Sequence, residues 1–478
     1  MDDRARLIRA LLRHDPSCFA EKVFTTLEPG TSFSPNWHLE HIAWQLQRVL
    51  RGEVRRLIIN VPPRSGKSIA VTVALPMFAL GHDPRRRMLC ISHTAELARK
   101  FSIDRRTIAQ TPWYRALFPD MQLSGPRPRD MELRTTAFGF CRAAGVGGAI
   151  LGLGADLIVV DDPIKALDAL SRAERLRVNE FYDNTLVTRL NDKQTGAVVI
   201  VMQRLHEDDL VGHVLERDDW EIVSLPAIAT DDTEHRLNDD PDAVHRRRTG
   251  DVLHPEREPM AVVEQIRRAQ GSLTFQAQYQ QAPLPPSGNV IRREWLRSYD
   301  DPPERFERVM VSWDTASTLG EASDWSVGTV WGSVGLDFYL LDVWRDRVES
   351  PELRRAILTL SRDWETENTI VEDTELGRAL VTDIRRTNTA RPILYRPIFD
   401  KEARLLAQAA RFEAGQVHLP REAPWLGEYM RELLAFPNGR HDDQVDSTSQ
   451  ALHWLTARTP VPREMTRRNI ERRNIVRH

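Results

Sequence analysis

The sequence is poor in cysteine and lacks any long apolar run. Its three cysteines, Cys18, Cys90 and Cys141, are widely spaced and form no C-x-x-C pair, which argues against a disulfide framework, a structural zinc site and secretion. No stretch of about 18 apolar residues occurs, and the chain starts with the acidic Met1-Asp2-Asp3, where a signal peptide would be basic. We therefore expect a protein of the reducing cytosol that is not embedded in a membrane.

The chain also has almost no net charge. Lys+Arg number 66 and Asp+Glu number 69, so the formal charge is −3, and any polyanion has to meet a local basic patch. Because 41% of the residues are hydrophobic and 28% are charged, disorder as the main state is excluded. A length of 478 residues predicts about two or three domains.

Short apolar runs of β type occur in the first half of the chain, each followed by a helical or turn-rich stretch. Continuous apolar strands of this kind are typical of a parallel sheet that is covered on both faces. The sequence therefore predicts such a sheet, formed by the runs at 57–61, 88–92, 157–160 and 197–202.

The chain changes character after residue 214. The segment 215–281 has many charges, the basic cluster Arg246-Arg247-Arg248 and no comparable strand run, so we predict a small subdomain or lid. The proline-rich stretch 282–288 cannot continue a helix or a central strand, and it predicts a semi-rigid linker with a domain boundary. The predicted organisation is a first domain at 1–214, the small subdomain at 215–281, the linker at 282–292, a second domain at 293–457 and a basic tail at 458–478.

The second domain is predicted to be α/β as well. Three closely spaced apolar runs indicate an antiparallel meander, and a further short strand has helical patterning on both sides. The tail carries seven Arg against two Glu, a charge of +5, and few large apolar residues, so we expect it to be disordered when free. The meander runs are 308–313, 325–331 and 338–344, the short strand is 369–371, and the helical stretches are 351–365 and 377–386.

The stretch 61–68 has the character of a phosphate-binding loop. It follows a predicted strand and precedes an apolar helical stretch at 69–80, which is the context that such a loop requires. Gly66 would let the backbone approach the phosphates, Lys67 would reach the β- and γ-oxygens, and Ser68 would place its hydroxyl on Mg²⁺. The loop starts with valine where glycine is usual, so a Gly-Lys-Ser tripeptide without function is the alternative.

A second acidic motif supports the nucleotide interpretation. The apolar strand 157–160 ends in Asp161 and Asp162, a Walker B arrangement in which Asp161 would hold Mg²⁺ through water and Asp162 would orient the attacking water. Alternatively, the paired acids cap a helix that starts near Pro163. A third strand ends in Gln203-Arg204, where either a γ-phosphate sensor or ordinary turn chemistry fits.

The second domain places acids at the ends of its apolar strands. Burying charge there is costly unless a cation meets it. Such a set predicts two Mg²⁺ or Mn²⁺ ions about 4 Å apart that cleave a phosphodiester by activating water and neutralising the leaving oxygen. The alternative is a set of helix caps and surface acids. The acids are Asp314, Asp324, the pair Glu372-Asp373, and Asp442, Asp443 and Asp446 of the segment 441–446.

Both motif sets in this order, with a proline-rich linker between them, resemble the large terminase subunit of tailed bacteriophages and its prophage or gene-transfer-agent relatives. This family is the motor that packages DNA into a procapsid. The resemblance covers nearly the whole chain, because further stretches match the family's pattern. These stretches are 147–150, 154–156, 161–163, 203–210, 275–283, 311–316, 371–377 and 441–446.

The resemblance implies an α/β fold with an N-terminal P-loop ATPase of the additional-strand type and a parallel-type sheet, followed by a C-terminal ribonuclease H-like nuclease. ATP and Mg²⁺ are the implied cofactors, with Mn²⁺ as an alternative at the nuclease. Asp162 and Arg64 would serve hydrolysis, and Arg64 would switch between the γ-phosphate and contacts between subdomains. The implied nucleotide-binding residues are Pro63, Arg64, Ser65, Gly66, Lys67, Ser68 and Gln203, with Ser68 and Asp161 at the Mg²⁺.

The three nuclease acids implied by the resemblance are Asp314, Glu372 and Asp443, all as metal ligands. Asp442 competes with Asp443 for the third place, because the doubled Asp leaves the register ambiguous. The stretch 37–45 resembles the region that contacts adenine. Leu153 stands where relatives often have Arg, so a trans-acting arginine is not assigned, and Arg142 is only a nearby candidate.

The implied partners are double-stranded DNA, the portal protein of the procapsid and the small terminase subunit, with no membrane. A homo-oligomeric ring, a pentamer, would form on the portal. The implied place of work is the cytoplasm of the infected or lysogenic bacterial host, and transiently the procapsid. Arg85–Arg87 and Arg246–Arg248 would contact DNA or be solvated loops. The rival functions are a helicase-like or transposition-related ATPase with a resolvase-type nuclease, and a translocase with an inactive nuclease domain.

Overall fold

A computed structural model describes most of the chain. The described residues are 3–125, 130–283, 289–315, 325–387, 391–397, 399–439, 441–457 and 465–466. Asp324, residues 284–288 of the predicted linker and the predicted basic tail, apart from 465–466, lie outside them. The chain divides into two compact units, Met1–Pro285 and Pro286–His478, and this division falls inside the proline-rich segment.

The first unit contains a seven-stranded sheet. Its strands are β1 (Arg56–Asn60), β2 (Arg87–Ser92), β3 (Glu132–Arg134), β4 (Phe140–Gly145), β5 (Leu157–Asp161), β6 (Ala197–Met202) and β7 (Glu221–Ser224). The strand order is β3-β4-β2-β5-β6-β1-β7, and every neighbouring pair is parallel except β3 with β4. The four apolar runs of the sequence therefore form the predicted parallel sheet.

One strand of this sheet corrects the sequence analysis. The composition of segment 215–281 predicts no strand comparable to the core runs, yet β7 pairs in parallel with β1 at the sheet edge. Only Val223 of β7 is buried, and an edge strand with one covered face needs no continuous apolar run. The same segment also contains an antiparallel hairpin of β8 (Thr233–Arg236) and β9 (Val244–Arg247).

Helices cover both faces of the sheet. The helices of this unit are α1 (Asp3–His14), α2 (Pro16–Leu27), α3 (Trp37–Leu50), α4 (Leu75–His82), α5 (Ala95–Gln110), α6 (Pro112–Leu117), α7 (Arg172–Phe181), α8 (Leu210–Leu215), α9 (Met260–Gln270) and α10 (Ser272–Gln278), of which α9 and α10 contribute to a separate small core. Successive residues of β1 point to opposite faces, so Leu57 and Ile59 belong to one apolar core and Ile58 to another. Among the described residues, no helix is long and apolar enough to span a membrane.

The predicted helix after the phosphate loop is present but starts irregularly. Residues Ile69–Ala74 form a π-helix that leads directly into α4. Pro76 has no N–H to donate to the carbonyl of Thr72, as an α-helix would require, and the Leu75 N–H bonds to Ala70 instead. The freed Thr72 carbonyl accepts a hydrogen bond of 2.6 Å from the buried Arg105, which compensates for the lost helical bond.

The second unit has a seven-stranded mixed sheet. The strands of this unit are β10 (Arg297–Tyr299), β11 (Arg305–Phe306), β12 (Arg308–Asp314), β13 (Ser326–Val334), β14 (Asp337–Asp346), β15 (Asn368–Glu372), β16 (Ile393–Tyr395), β17 (Val417–Pro420) and β18 (Met465–Thr466). The sheet order is β10-β17-β14-β13-β12-β15-β16, while β11 and β18 pair separately. The meander β12-β13-β14 is antiparallel as predicted, and β15 runs parallel to β12.

Helices pack on this sheet and position its acidic residues. They are α11 (Ser350–Asp363), α12 (Glu375–Thr387), α13 (Lys401–Glu413), α14 (Leu426–Ala435) and α15 (Asp443–Thr456). Val309, Val311 and Trp313 of β12 pack into an apolar core with residues of α11 and α12. The alternate residue Ser312 has its carbonyl and hydroxyl bonded by side chains of α15, so α15 lies against β12 where the strand ends in Asp314.

Candidate nucleotide and nuclease sites

The loop after β1 has the tight backbone that phosphate binding requires. Arg64 and Gly66 have φ angles of 62° and 81°, in the left-handed region that glycine favours. A Cβ on Gly66 would lie 3.2 Å from a methyl carbon of Leu39, so a larger residue would be both strained and crowded. The hydroxyl of Ser65, 2% exposed, donates to the Pro62 carbonyl at 2.8 Å, which fixes the loop internally.

Four predicted nucleotide-site residues come together beside this loop. The Lys67 Nζ lies 3.2 Å from Asp162 Oδ1, and the Ser68 hydroxyl donates to Asp161 Oδ1 at 3.1 Å. On its other oxygen, Asp161 accepts a bond of 2.7 Å from the Thr72 hydroxyl. Sequence reasoning did not single out Thr72, although its place one helical turn after Ser68 puts both hydroxyls on one face.

The electrostatics of this acid pair favour a cation. Asp161 is fully buried, and its burial together with the charge of Asp162 raises its pKa to about 7, against the opposing effects of Thr72, Lys67 and Ser68. A divalent ion beside Asp161 would stabilise the ionised form. Serine hydroxyl and carboxylate oxygens are the donors that Mg²⁺ prefers, so these residues fit the ion.

Asp162 does not cap a helix. It follows β5 with a φ of 40°, and the next helical element is a single 3₁₀ turn at Asp168–Leu170, so the alternative of a helix starting near Pro163 is wrong. Its Oδ1 accepts the Gln203 N–H at 3.2 Å. The side-chain oxygen of Gln203 is buried without a hydrogen-bond partner among the described residues, which leaves it able to accept a bond from a ligand or water.

Three further side chains contact the backbone of the site, and sequence reasoning gave none of them this role. The His38 Nε2 donates to the Ser65 carbonyl at 3.0 Å, Arg257 donates to the Arg64 carbonyl at 2.6 Å, and a ring nitrogen of His93 bonds to the Asp162 carbonyl at 3.1 Å. Such bonds to carbonyls carry no sequence signal, because the acceptor is the same for every residue type.

The stretch 37–45, whose contact with adenine stays a prediction, contacts both the β8–β9 hairpin and the phosphate loop. Trp37 stacks on His245 of β9 with ring centroids 4.3 Å apart. The Gln45 side chain accepts a bond of 2.7 Å from Arg48. Within this stretch, His38 is the residue that is hydrogen-bonded to the phosphate loop.

The second unit brings together acids from three elements. Asp314 ends β12, Glu372 ends the neighbouring strand β15, and Asp443 and Asp446 lie in the first turn of α15. Asp314 is buried, and its pKa is raised well above its usual value by burial, by the negative charges of Asp446, Glu372 and Asp443, and by a hydrogen bond with Glu372. Surface acids and plain helix caps do not explain carboxylates held this close together.

The acids of α15 differ in their surroundings. Asp443 is among the charges that raise the Asp314 pKa, whereas Asp442 precedes the helix and accepts a bond of 2.8 Å from Lys401. Asp446 lies still deeper, at 1% exposure. Burial raises the pKa of Asp446 to about 6, against the opposing charges of Arg404 and Lys401. Sequence reasoning placed Asp446 in the acidic cluster but gave it no role.

Polar and basic side chains hold these acids in place. The Gln450 amide of α15 donates to Glu372 Oε2 at 2.8 Å, and Arg404 of α13 donates to Asp446 at 2.7 Å. In the described part of the chain, no three His, Cys, Asp or Glu side chains stand in the arrangement of a metal site. The chemistry of the donors nevertheless fits Mg²⁺ or Mn²⁺, because both ions prefer carboxylate oxygens.

Comparison with known proteins agrees with this architecture. The family model described as "Terminase large subunit, T4likevirus-type, N-terminal" matches residues 58–298, and the "Terminase RNaseH-like domain" matches residues 311–455. No curated protein matches the chain significantly by sequence.

Solved structures show the same fold. The large terminase from a thermophilic bacteriophage is similar with a TM-score of 0.54 at 11% identity, over 86% of this chain and 98% of that one. The complex of the same terminase with ATP-gamma-S is similar with a TM-score of 0.50 at 12% identity and the same coverage. The expected α/β fold class is thereby confirmed, and the chain belongs to the terminase large subunit family.

Proposed function

We propose that this chain is an ATP-driven motor that translocates double-stranded DNA into a procapsid and cleaves it with a metal-dependent endonuclease. Large terminases as a family work in DNA packaging. The observation that carries the proposal is the presence of two separate acidic centres, one at the strand ends of each unit. The first pairs Asp161 and Asp162 with a phosphate loop, and the second gathers Asp314, Glu372 and Asp443.

In the first unit, the phosphate loop would bind ATP. The loop from Pro63 to Ser68 would surround the phosphates, with the backbone N–H groups supplied by residues 64–68. The Lys67 ammonium would leave Asp162 for the β- and γ-oxygens. Asp162, freed from that pairing, would orient the attacking water, while Arg64 and Gln203 would respond to the γ-phosphate. Mg²⁺ held by Ser68 and Asp161 would neutralise phosphate charge.

In the second unit, the acids would cut the DNA backbone. Asp314, Glu372 and Asp443 would hold two Mg²⁺ or Mn²⁺ ions, which would supply an activated water and charge neutralisation at the leaving oxygen. We assign the third place to Asp443 rather than Asp442, because Asp443 contributes to the field at Asp314 whereas Asp442 pairs with Lys401.

The partners in this proposal are double-stranded DNA, the portal protein, the small terminase subunit and further copies of this chain in a ring on the portal. The work would take place in the cytoplasm of the infected or lysogenic host. The DNA contacts would be sequence-independent bonds to phosphates. Arg85 and Arg246 have strongly exposed side chains and suit this use. Arg247 does not, because it is 3% exposed and donates to the carbonyls of Ala227 and Asp251.

The test separates the two centres in the same preparations. We expect Lys67→Ala to lose ATPase activity and ATP-driven DNA uptake into procapsids but to retain metal-dependent plasmid cleavage. Asp314→Ala should lose cleavage and keep ATPase activity. ATP-driven DNA uptake that persists in Lys67→Ala would contradict the proposal that this chain is the packaging motor. Wild type that hydrolyses ATP but cuts with neither Mg²⁺ nor Mn²⁺ would replace the nuclease by the inactive-domain alternative.

A further inference from the structure

Helix α13 brings two basic side chains into the acidic centre of the second unit. The Lys401 Nζ lies 2.8 Å from Asp442 Oδ1 and 2.7 Å from Asp446 Oδ2. Arg404, one turn further along α13, lies 2.7 Å from Asp446 and 3.8 Å from Glu372. The start of α13 is fixed by Asp400, whose side chain accepts the Ala403 N–H at 2.9 Å. All of these contacts are formed between residues of the second unit itself.

The charge of this centre is only partly balanced. Five carboxylates, those of Asp314, Glu372, Asp442, Asp443 and Asp446, face two basic side chains, which leaves a formal charge of −3. One divalent cation reduces this charge to −1 while both basic residues stay in place, and a second cation added beside them would make the centre positive.

The two basic residues differ in how easily they can leave. The Arg404 side chain is 7% exposed, and its rigid guanidinium is enclosed between two acids. The Lys401 side chain is 49% exposed, and its ammonium is a point charge on a flexible stem. Lys401 also bridges two carboxylates at distances under 3 Å, as a metal ion would. Of the two, Lys401 is the residue that a second metal ion can displace.

We propose that Lys401 stands in for the second divalent cation of the nuclease, so that the centre takes one metal ion as it stands and takes a second only when the Lys401 ammonium leaves Asp442 and Asp446. This inference rests on the nuclease proposed above. In this proposal Lys401 is a positioning residue. It sets the metal concentration at which the nuclease binds both of its metal ions. The nuclease then stays incompletely loaded at metal concentrations that already saturate its first ion.

The experiment counts Mn²⁺ ions bound to the full chain by electron paramagnetic resonance, without nucleotide or DNA. Binding lost in Asp314→Asn defines the ions of the nuclease. At a Mn²⁺ concentration where wild type holds one such ion, we expect Lys401→Met to hold two, with a Kd for the second ion about tenfold lower, because a repelling charge is gone. Lys401→Arg, which keeps the charge, should bind like wild type.

The matched control is Lys100→Met. Lys100 is also a half-exposed lysine paired to an acid, Asp104, at 2.9 Å, but it lies in the first unit, so its loss should leave Mn²⁺ binding unchanged. Because Lys401→Met could fold poorly, Lys401→Gln is measured in parallel. Melting temperatures with EDTA and with Mn²⁺ supply a second readout, and Mn²⁺ should raise the melting temperature of either variant more than that of wild type.

The outcomes separate the two ideas. If wild type and both uncharged variants bind the same number of Mn²⁺ ions with the same Kd, while Asp314→Asn binds fewer, the role of Lys401 is refuted and the metal site remains. If Asp314→Asn binds as many ions as wild type, the carboxylate centre holds no metal, and the proposed nuclease falls together with the inference.

Discussion

At the scale of single residues, both acidic centres hold a lysine of their own chain. Lys67, 5% exposed, pairs with Asp162, and Lys401 pairs with Asp442 and Asp446. Buried carboxylates cost free energy unless a cation meets them, so these pairs stabilise the ligand-free protein. In the functions proposed above, the Lys67 pair would open when a phosphate binds and the Lys401 pairs would open when the second metal ion binds. Each of these steps would exchange an internal ion pair for an external one.

His38 gives a prediction on pH at this scale. It is 1% exposed, and burial lowers its pKa from 6.5 to about 4, against the bond to the Ser65 carbonyl. The folded protein keeps His38 neutral while the unfolded chain protonates it below pH 6.5, so stability is lost as pH falls from 6.5 toward 4. From about pH 7.5 to about pH 5.5, wild type should lose about 1 kcal/mol more unfolding free energy than His38→Gln.

The measurement is urea unfolding followed by tryptophan fluorescence at both pH values. Gln retains an N–H donor for the Ser65 carbonyl but does not titrate. His14→Gln is the control, because His14 is solvent-exposed and its substitution should leave the pH dependence of wild type. Equal losses in wild type and His38→Gln would contradict the prediction.

The sequence predicted the acids and the loop of the candidate sites, but not the residues that surround them. Gly66, Lys67, Ser68 and the acids follow strands or open helices, where local pattern carries the signal. Lys401 lies 41 residues before Asp442 along the chain. From sequence alone, a basic residue on an amphipathic helix is predicted to be exposed to solvent. Its pairing with a distant acid is set by the fold, so the sequence spacing does not indicate it.

At the scale of elements, the segment between β6 and α8 is held by one buried side chain. Asp209, 1% exposed, accepts the N–H groups of Leu205 at 2.9 Å and Gly212 at 3.1 Å. It also pairs with Arg204 Nε through both oxygens, at 3.1 and 3.0 Å. Since Gln203 at the start of the segment bonds to Asp162, Asp209 fixes the path from the acid pair to α8.

We expect Asp209→Ala to destabilise the first unit by about 3 to 5 kcal/mol, because it leaves Arg204 as an uncompensated, largely buried charge. ATPase activity should fall with it. The control is Glu216→Ala at the other end of α8, since Glu216 is exposed, and it should change stability by no more than about 0.5 kcal/mol. Urea unfolding and ATPase assays on both variants check this. Similar losses in the two variants would refute the anchoring role.

Elements with a continuous apolar pattern were predictable, and those shaped by their neighbours were not. β1, β2, β5 and β6 are buried on both faces, so their runs stand out in the sequence. β7 is recognisable only through its pairing with β1. The π-helix before α4 lies next to Pro76, which has no N–H, and its Thr72 carbonyl accepts a hydrogen bond from the distant Arg105. A periodicity of apolar residues predicts neither feature.

At the scale of the whole molecule, the two units have separate apolar cores. Strands β1 to β7 and their helices enclose the cores of the first unit, and β12 with α11 and α12 encloses that of the second. The division lies in a segment that cannot extend a helix or sheet. Units with their own cores unfold as separate cooperative transitions, so a ligand of one unit should stabilise one transition.

Differential scanning calorimetry of the full chain should therefore resolve two transitions. ATP-gamma-S with Mg²⁺ at about a hundredfold excess over its Kd should stabilise the first unit by about 2.7 kcal/mol, which raises its melting temperature by about 5 °C. The second transition should not move. Lys67→Ala should abolish the shift, whereas Asp314→Ala should preserve it, because Asp314 belongs to the other core. A single transition, or two transitions that both rise with nucleotide, would contradict this prediction, because the units would then not unfold independently.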